Sequence, residues 1–109
     1  MTTESNASAL AQWLNDETAT RQRLDAGPGP GVATAAQISG KNGLEFMQAM
    51  LRGELPYASI ARTLDFLLVE VASGRAVFQG TPGPQHFNPL GTVHGGWFAT
   101  LLDSALSWG

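Results

Sequence analysis

The sequence contains no cysteine and few charges. Without cysteine, the 109-residue chain has no disulfide, no thiolate nucleophile and no cysteine-ligated metal. Charged residues make up 14% of the chain and the net charge is −3, so no basic field attracts nucleic acid or an anionic membrane. We therefore expect neither nucleic acid nor a membrane among the partners.

Long apolar runs are also missing. No stretch approaches the roughly 18 apolar residues that a membrane-spanning helix needs. The polar N-terminus, MTTESNASALAQWL, lacks the charged and then apolar pattern of a secretion signal. The sequence therefore predicts a cytoplasmic protein, and a chain of 109 residues forms one domain at most.

Residues 1–40 differ in pattern from the rest of the chain. Leu10, Trp13 and Leu14 recur at helical spacing, and this pattern then fades into polar and charged sequence. Residues 26–31 are an alanine followed by alternating glycine and proline, a sequence that neither a helix nor a strand tolerates. We interpret residues 1–40 as a partly disordered N-terminal arm with a short amphipathic helix. An interaction role for this arm is the alternative.

A short helix and a β-hairpin are predicted after residue 42. The apolar residues of the helix, which ends near Gly53, recur at i, i+3 and i+7: Leu44, Met47 and Leu51. Residues 66–71 and 75–79 are rich in strand-forming side chains and flank the turn signal Ser73-Gly74. This pattern predicts two antiparallel strands.

The most informative segment runs from Asn88 to Asp103. The turn His94-Gly95-Gly96 precedes a stretch of helical apolar periodicity, and Asp103 follows nine residues after the histidine. Unpaired N–H groups at a helix N-terminus and the helix dipole stabilise negative charge on an oxygen. The segment thus combines an oxyanion-stabilising turn with a carboxylate on the same helix.

The predicted motif helix has one broad apolar arc and one narrow polar face. At about 100° per residue, the arc holds seven side chains: Val93, Trp97, Phe98, Leu101, Leu102, Ala105 and Leu106. A helix this apolar is expected to be wrapped by a sheet. Gly96, Thr100, Asp103 and Ser107 share the narrow face, so we expect the Asp103 carboxylate to lie in a cleft beside small or polar residues.

Residues 88–103 match the pattern Asn-x5-His-Gly-Gly-x6-Asp at every fixed position. This pattern resembles that of the hotdog-fold acyl-CoA thioesterases, and closely that of the PaaI-type (phenylacetic acid degradation) family. The resemblance covers about residues 43–106 and implies an α+β hotdog fold, in which an antiparallel sheet wraps around a central helix. In that family about three more strands follow the helix, so we expect residues 41–109 to be the N-terminal half of a hotdog thioesterase domain.

The resemblance also implies a role for each motif residue in hydrolysing aryl- or medium-chain acyl-CoA to free acid and CoA. The backbone N–H of Gly95 or Gly96 would polarise the thioester carbonyl, and Asn88 would position the carbonyl or the water. His94 would orient the turn, while Asp103 would act as general base or nucleophile. Further substrate contacts are expected from the same segment: Gly91, His94, Gly96 and Thr100.

No metal or other cofactor is expected. The spacing of His86, His94 and Asp103 does not suggest the geometry of a metal site. Residues 91–96 are not a phosphate-binding loop either, because no Lys-Ser or Lys-Thr pair follows the glycines.

The spacing of Gly95 and Asp103 predicts a shared site. The two residues are eight positions apart, which is about 12 Å along a helix axis, so one thioester carbonyl does not reach both. If two copies pair with these helices antiparallel across a two-fold axis, Asp103 of one copy approaches Gly95 of the other. We therefore expect a homodimer or homotetramer with shared active sites, as the resemblance also implies.

Two other interpretations remain open. In the first, the chain is a non-catalytic hotdog binding or assembly module. In the second, it is an inactive truncated fragment. One hairpin does not cover the whole apolar arc of the motif helix, so the 109 residues alone are expected to aggregate or to form a loosely packed, inactive oligomer. Release of free thiol from acyl-CoA separates the enzyme from both alternatives.

Overall fold

Five α-helices and one two-stranded sheet make up residues 3–108, the part of the chain that the computed structural model describes. In chain order the elements are α1 (Thr3–Ala26), α2 (Ala35–Ile38), α3 (Gly43–Leu51), α4 (Ser59–Thr63), β1 (Phe66–Ala72), β2 (Arg75–Gly80), a 3-10 turn (Pro84–His86) and α5 (Gly95–Trp108). The protein therefore belongs to the α+β class.

The predicted β-hairpin is confirmed. Strands β1 and β2 pair antiparallel along their whole length. Ser73 and Gly74 form the two-residue turn between them, and Gly74 has a φ of 72°, a left-handed conformation that favours glycine. The pairing register shifts between Leu68 and Glu70, which is a bulge that the sequence pattern did not predict.

The hydrophobic core surrounds the first half of β1. Phe66, Leu67 and Leu68 are all buried. Because successive strand side chains point to opposite faces, both faces of this half of the strand are covered. Tyr57 and Ala61 from the α4 region complete the core together with a residue of α1.

Helix α1 is longer than the short helix expected in the N-terminal segment. No glycine or proline occurs between Thr3 and Ala26, so nothing in the sequence ends the helix before that point. Its second half packs on the rest of the chain through buried Thr20 and Leu24. Three apolar residues of its first half are largely exposed: Leu10, Trp13 and Leu14. The division of the chain into arm and domain at residue 40 stays a prediction.

The predicted helix after residue 42 is confirmed as α3. Its N-terminus is capped by Asn42, whose Oδ1 accepts the N–H of Glu45 at 2.8 Å. Just after the C-terminal end of α3, Gly53 lies close to Gly27, which follows α1. A Cβ on Gly27 would overlap the carbonyl oxygen of Gly53. Gly53 itself has a φ of 80°. These two glycines therefore allow the ends of α1 and α3 to lie against each other.

Helix α5 packs on the hairpin through one side of its apolar arc. Buried Trp97 lies over Gly80, and its indole N–H donates to the carbonyl of Leu64 at 2.7 Å. On the other side of the arc, Phe98, Leu102 and Leu106 are 49%, 60% and 80% exposed. Within residues 3–108 the sheet thus covers α5 on one side, and the hotdog fold stays a prediction.

Among the helices within residues 3–108, none combines the length and the apolar character needed to cross a bilayer.

We expect Gly80→Ala to lower the free energy of unfolding by about 1–3 kcal/mol, because a new methyl group overpacks the contact between α5 and the hairpin. A Cβ at Gly80 would lie 2.8 Å from Cβ of Phe66 and 3.0 Å from Cζ2 of Trp97. Urea unfolding followed by tryptophan fluorescence measures the change. Gly43→Ala is the matched control, since a Cβ there meets nothing within 4 Å. Equal losses in the two variants would contradict the close packing at Gly80.

Candidate functional site

His94 is the N-cap of helix α5. Its Nδ1 accepts the N–H of Gly96 at 2.8 Å, and its carbonyl accepts the N–H of Trp97 at 2.9 Å. Its own N–H donates to the carbonyl of His86 at 2.8 Å. The imidazole is therefore used to satisfy a backbone donor at the helix end, as N-cap side chains do.

Gly95 keeps the free N–H of the glycine pair. In the part of the chain that the structure describes, this N–H donates to no protein acceptor, whereas the N–H of Gly96 is bonded to His94. A Cβ at Gly95 would meet nothing within 4 Å, so a ligand has room to approach the donor. The sequence left Gly95 and Gly96 open as the oxyanion donor, and this hydrogen bonding favours Gly95.

Asn88 holds the loop that leads into α5. Its Oδ1 accepts the N–H groups of Leu90 and Thr92 at 2.9 and 3.3 Å, and its Nδ2 donates to Oγ1 of Thr92 at 2.8 Å. Gly91 closes the same turn with a φ of 83° and an N–H bond to the carbonyl of Asn88 at 3.0 Å. The Asn88 amide is thus engaged within the loop, and its contact with substrate stays a prediction.

The helix predicted for the motif is confirmed from Gly95 to Trp108, so Gly95 and Asp103 lie on one continuous helix. Val93, which the sequence placed on the apolar arc of this helix, lies before it in an antiparallel bridge with Phe87. Asp103 is exposed instead of lying in a cleft of its own chain. Gly95 and Asp103 are therefore about 12 Å apart along the helix axis, as their spacing in the sequence predicts.

A groove of about 400 Å³ lies beside the N-terminus of α5. It brings together three of the predicted site residues, His94, Gly96 and Thr100. Its other lining residues were not predicted: Leu64, Gln85, His86, Phe87 and Trp97. The lining includes neither Gly95 nor Asp103, so one copy of the chain does not bring the candidate donor and the carboxylate together in this groove.

His86 connects three segments around the groove and was not predicted to have a role. The buried ring accepts the N–H of Gly83 on Nδ1 at 2.9 Å, and Nε2 bonds the carbonyl of Thr63 at 3.1 Å. Because Nδ1 is an acceptor, the neutral ring carries its proton on Nε2 and donates it to Thr63. The His86 carbonyl also accepts a hydrogen bond from the N–H of His94. A lone histidine in a loop has no periodicity that would reveal such contacts.

The turn at Gly95 lies at the positive end of the α5 dipole. The hydrogen bonds between the exposed side chains of Arg52 and Glu54 lower the pKa of Glu54 and raise that of Arg52. Both residues lie at the C-terminal end of α3.

Within the described residues, no group of three His, Asp or Glu side chains has a metal-binding arrangement.

We expect His86→Ala to destabilise the protein more than His94→Ala. His86→Ala creates a cavity and removes the hydrogen-bond partner of the Gly83 N–H and of the Thr63 carbonyl. We expect this to lower the free energy of unfolding by about 3 kcal/mol. His94→Ala removes one exposed helix cap, which should lower the free energy of unfolding by about 1 kcal/mol. Urea unfolding of both variants measures the free energies of unfolding. A larger loss for His94→Ala would contradict the role of His86 as the connecting residue.

Comparisons with known protein families, with curated proteins and with solved structures found no match to this chain. The functional assignment therefore depends on the motif in residues 88–103 and on the geometry described above.

Proposed function

We propose that this chain is part of a cytoplasmic hotdog-fold acyl-CoA thioesterase that hydrolyses aryl- or medium-chain acyl-CoA to the free acid and CoA. The main support is the N–H of Gly95, an accessible donor at the N-terminus of a 14-residue helix. The match of residues 88–103 to the PaaI-type pattern supports the same assignment.

The turn at Gly95 is suited to a developing oxyanion. When a thioester carbonyl is attacked, negative charge accumulates on its oxygen, and a donor already in place stabilises this charge without reorganisation. The positive end of the α5 dipole adds to the effect. The cap formed by His94 fixes the turn, and the absence of a side chain on Gly95 leaves the donor accessible.

Asp103 supplies the base or the nucleophile. As a general base, the carboxylate takes a proton from water while the water oxygen bonds to the carbonyl carbon, and the C–S bond then breaks to release CoA. As a nucleophile, it bonds to the carbonyl carbon itself, CoA leaves, and water hydrolyses the resulting anhydride. Both routes need an accessible carboxylate, and Asp103 is exposed.

A second copy of the chain completes the site in this proposal. Gly95 and Asp103 of one chain are too far apart for a single carbonyl, so the donor and the carboxylate come from different subunits. Phe98, Leu102 and Leu106 recur at i, i+4 and i+8 on the exposed side of α5. Such an apolar stripe beside the site is suited to packing against the same helix of a partner.

We expect Asp103→Asn to reduce kcat for acyl-CoA hydrolysis by at least about a hundredfold, because the amide keeps the size of the side chain but removes the base. The assay follows thiol release from acyl-CoA. Asp25→Asn, another exposed carboxylate, is the matched control. Near-normal turnover in Asp103→Asn would falsify the assignment. Substrate binding without thiol release by the wild type would favour a binding module.

Mixing two inactive variants should restore activity if the site is shared. Asp103→Asn removes the carboxylate and Gly95→Phe blocks the donor, yet their heterodimer keeps one site with both groups intact. The bulky residue at Gly95 points into open space within its own chain, so the subunit itself is expected to fold. We expect about half of the wild-type activity per heterodimer. Heterodimers that form but remain inactive would show that the donor and the carboxylate do not come from different subunits.

A further inference from the structure

The segment that carries the turn at Gly95 is held to the rest of the protein at its two ends. Between residues 86 and 97, the buried side chains are those of His86 and Trp97, each 5% exposed. The residues between them are exposed or half-buried. A segment with so few buried contacts opens locally at a low cost in free energy. The position of Gly95 therefore depends on how His86 and Trp97 are held.

Both end residues bond to consecutive carbonyls at the C-terminal end of α4. Nε2 of His86 bonds the carbonyl of Thr63 at 3.1 Å, and Nε1 of Trp97 donates to the carbonyl of Leu64 at 2.7 Å. The last carbonyls of a helix have no partner within the helix, so they accept other donors. The end of α4 thus supplies two acceptors, one for each side of the turn.

The end of α4 is itself fixed to the rest of the fold. Asp65 follows Leu64 with a φ of 53°, a left-handed conformation that commonly ends a helix. The carbonyl of Asp65 accepts the N–H of Thr81 at 3.1 Å, just after β2. Its carboxylate pairs with Arg21 of α1 at 3.0 Å. The two acceptor carbonyls therefore lie next to a residue that is held by both the hairpin and α1.

The loop from His86 to His94 is closed by its own backbone. The N–H of His94 donates to the carbonyl of His86 at 2.8 Å, and the N–H of Asn88 donates to the carbonyl of Thr92 at 2.8 Å. The two ends of the loop therefore move together. A displacement of His86 is passed to His94, and from there to Gly95 as the next residue.

We propose that the end of α4 positions the oxyanion donor of Gly95, with His86 and Trp97 as the positioning residues. The proposal rests on the proposed function and adds to it. The bond from His86 to Thr63 joins residues 23 positions apart. By contrast, the bond from the Gly83 N–H to His86 stays within the 3-10 turn, which the N–H of His86 also closes at 2.9 Å. Loss of the Thr63 bond should therefore displace the donor, whereas loss of the Gly83 bond should not.

Two substitutions separate the two bonds of the His86 ring. Oδ1 of asparagine reaches about as far from the backbone as Nδ1 of histidine, so His86→Asn keeps the acceptor for Gly83 and loses the donor to Thr63. Nε2 of glutamine reaches about as far as Nε2 of histidine, so His86→Gln keeps the donor to Thr63 instead. Each variant loses one hydrogen bond, so we expect similar losses in the free energy of unfolding. The two variants are therefore matched controls for each other.

We expect His86→Asn to lower kcat for acyl-CoA hydrolysis by about ten- to a hundredfold with little change in KM. A misplaced oxyanion donor weakens binding of the transition state and not of the substrate. His86→Gln should keep kcat within about threefold of wild type, because the bond to Thr63 remains. Thiol release well below the melting temperatures of both variants measures the difference. Equal kcat values in the two variants would show that His86 has a structural role only.

Amide hydrogen exchange tests the same contact without turnover. The N–H of His94 should exchange at least about tenfold faster in His86→Asn than in wild type or His86→Gln, because the loop opens more often without the Thr63 bond. The amides of the hairpin are the internal reference, since a general loss of stability accelerates their exchange as well. Equal exchange of the His94 N–H in the two variants would overturn the proposal.

The two measurements together separate failure of this proposal from failure of the proposed function. If even the wild type releases no thiol, the thioesterase proposal fails, and the exchange rates alone decide whether the end of α4 holds the turn. If the wild type is active and exchange responds but kcat does not, the positioning role is wrong. Should His86→Asn fail to fold, Trp97→Phe replaces it in both measurements, because it keeps an aromatic ring over Gly80 and removes the donor to Leu64.

Discussion

The contact between Trp97 and Gly80 places α5 on the hairpin, and the candidate site depends on it. The indole ring covers a position where even a methyl group would be too close, and the ring N–H donates to the carbonyl of Leu64. His86 packs beside the same ring at a centroid distance of 6.2 Å and holds the N–H of His94 through its carbonyl. The turn at the start of α5 is therefore attached to both the sheet and the preceding loop.

A single rigid helix carries both the proposed donor and the proposed carboxylate, and this arrangement limits the possible mechanism. Residues eight positions apart on an α-helix do not approach each other by side-chain motion, because the axis fixes their separation at about 12 Å. Under the proposed mechanism, the donor and the carboxylate of one site therefore come from two copies of the chain. The exposed apolar side of α5 is suited to receive that copy, since an apolar stripe left in water is otherwise unfavourable.

Two recesses with different chemistry lie along α5. The groove near its N-terminus has polar groups from His94, Gly96 and Thr100, whereas a cavity of about 320 Å³ between α3, β1 and α5 reaches Ser104 and is almost wholly apolar. In the proposed dimer, the turn at Gly95 of one subunit meets the Asp103 carboxylate of the other.

Features with local causes could be predicted from the sequence: the hairpin around Ser73-Gly74, helix α3 and the helix that carries Asp103. Their turn residues and apolar periodicity act within a few positions of the chain. Only the tertiary structure placed Leu24 of α1 in the core, buried His86 between Thr63 and Gly83, and left half of the α5 arc exposed. It also distinguished Gly95 from Gly96, because the competing acceptor for Gly96 is the imidazole of His94. These outcomes depend on side-chain orientation and on contacts between distant residues, which spacing along the chain does not specify.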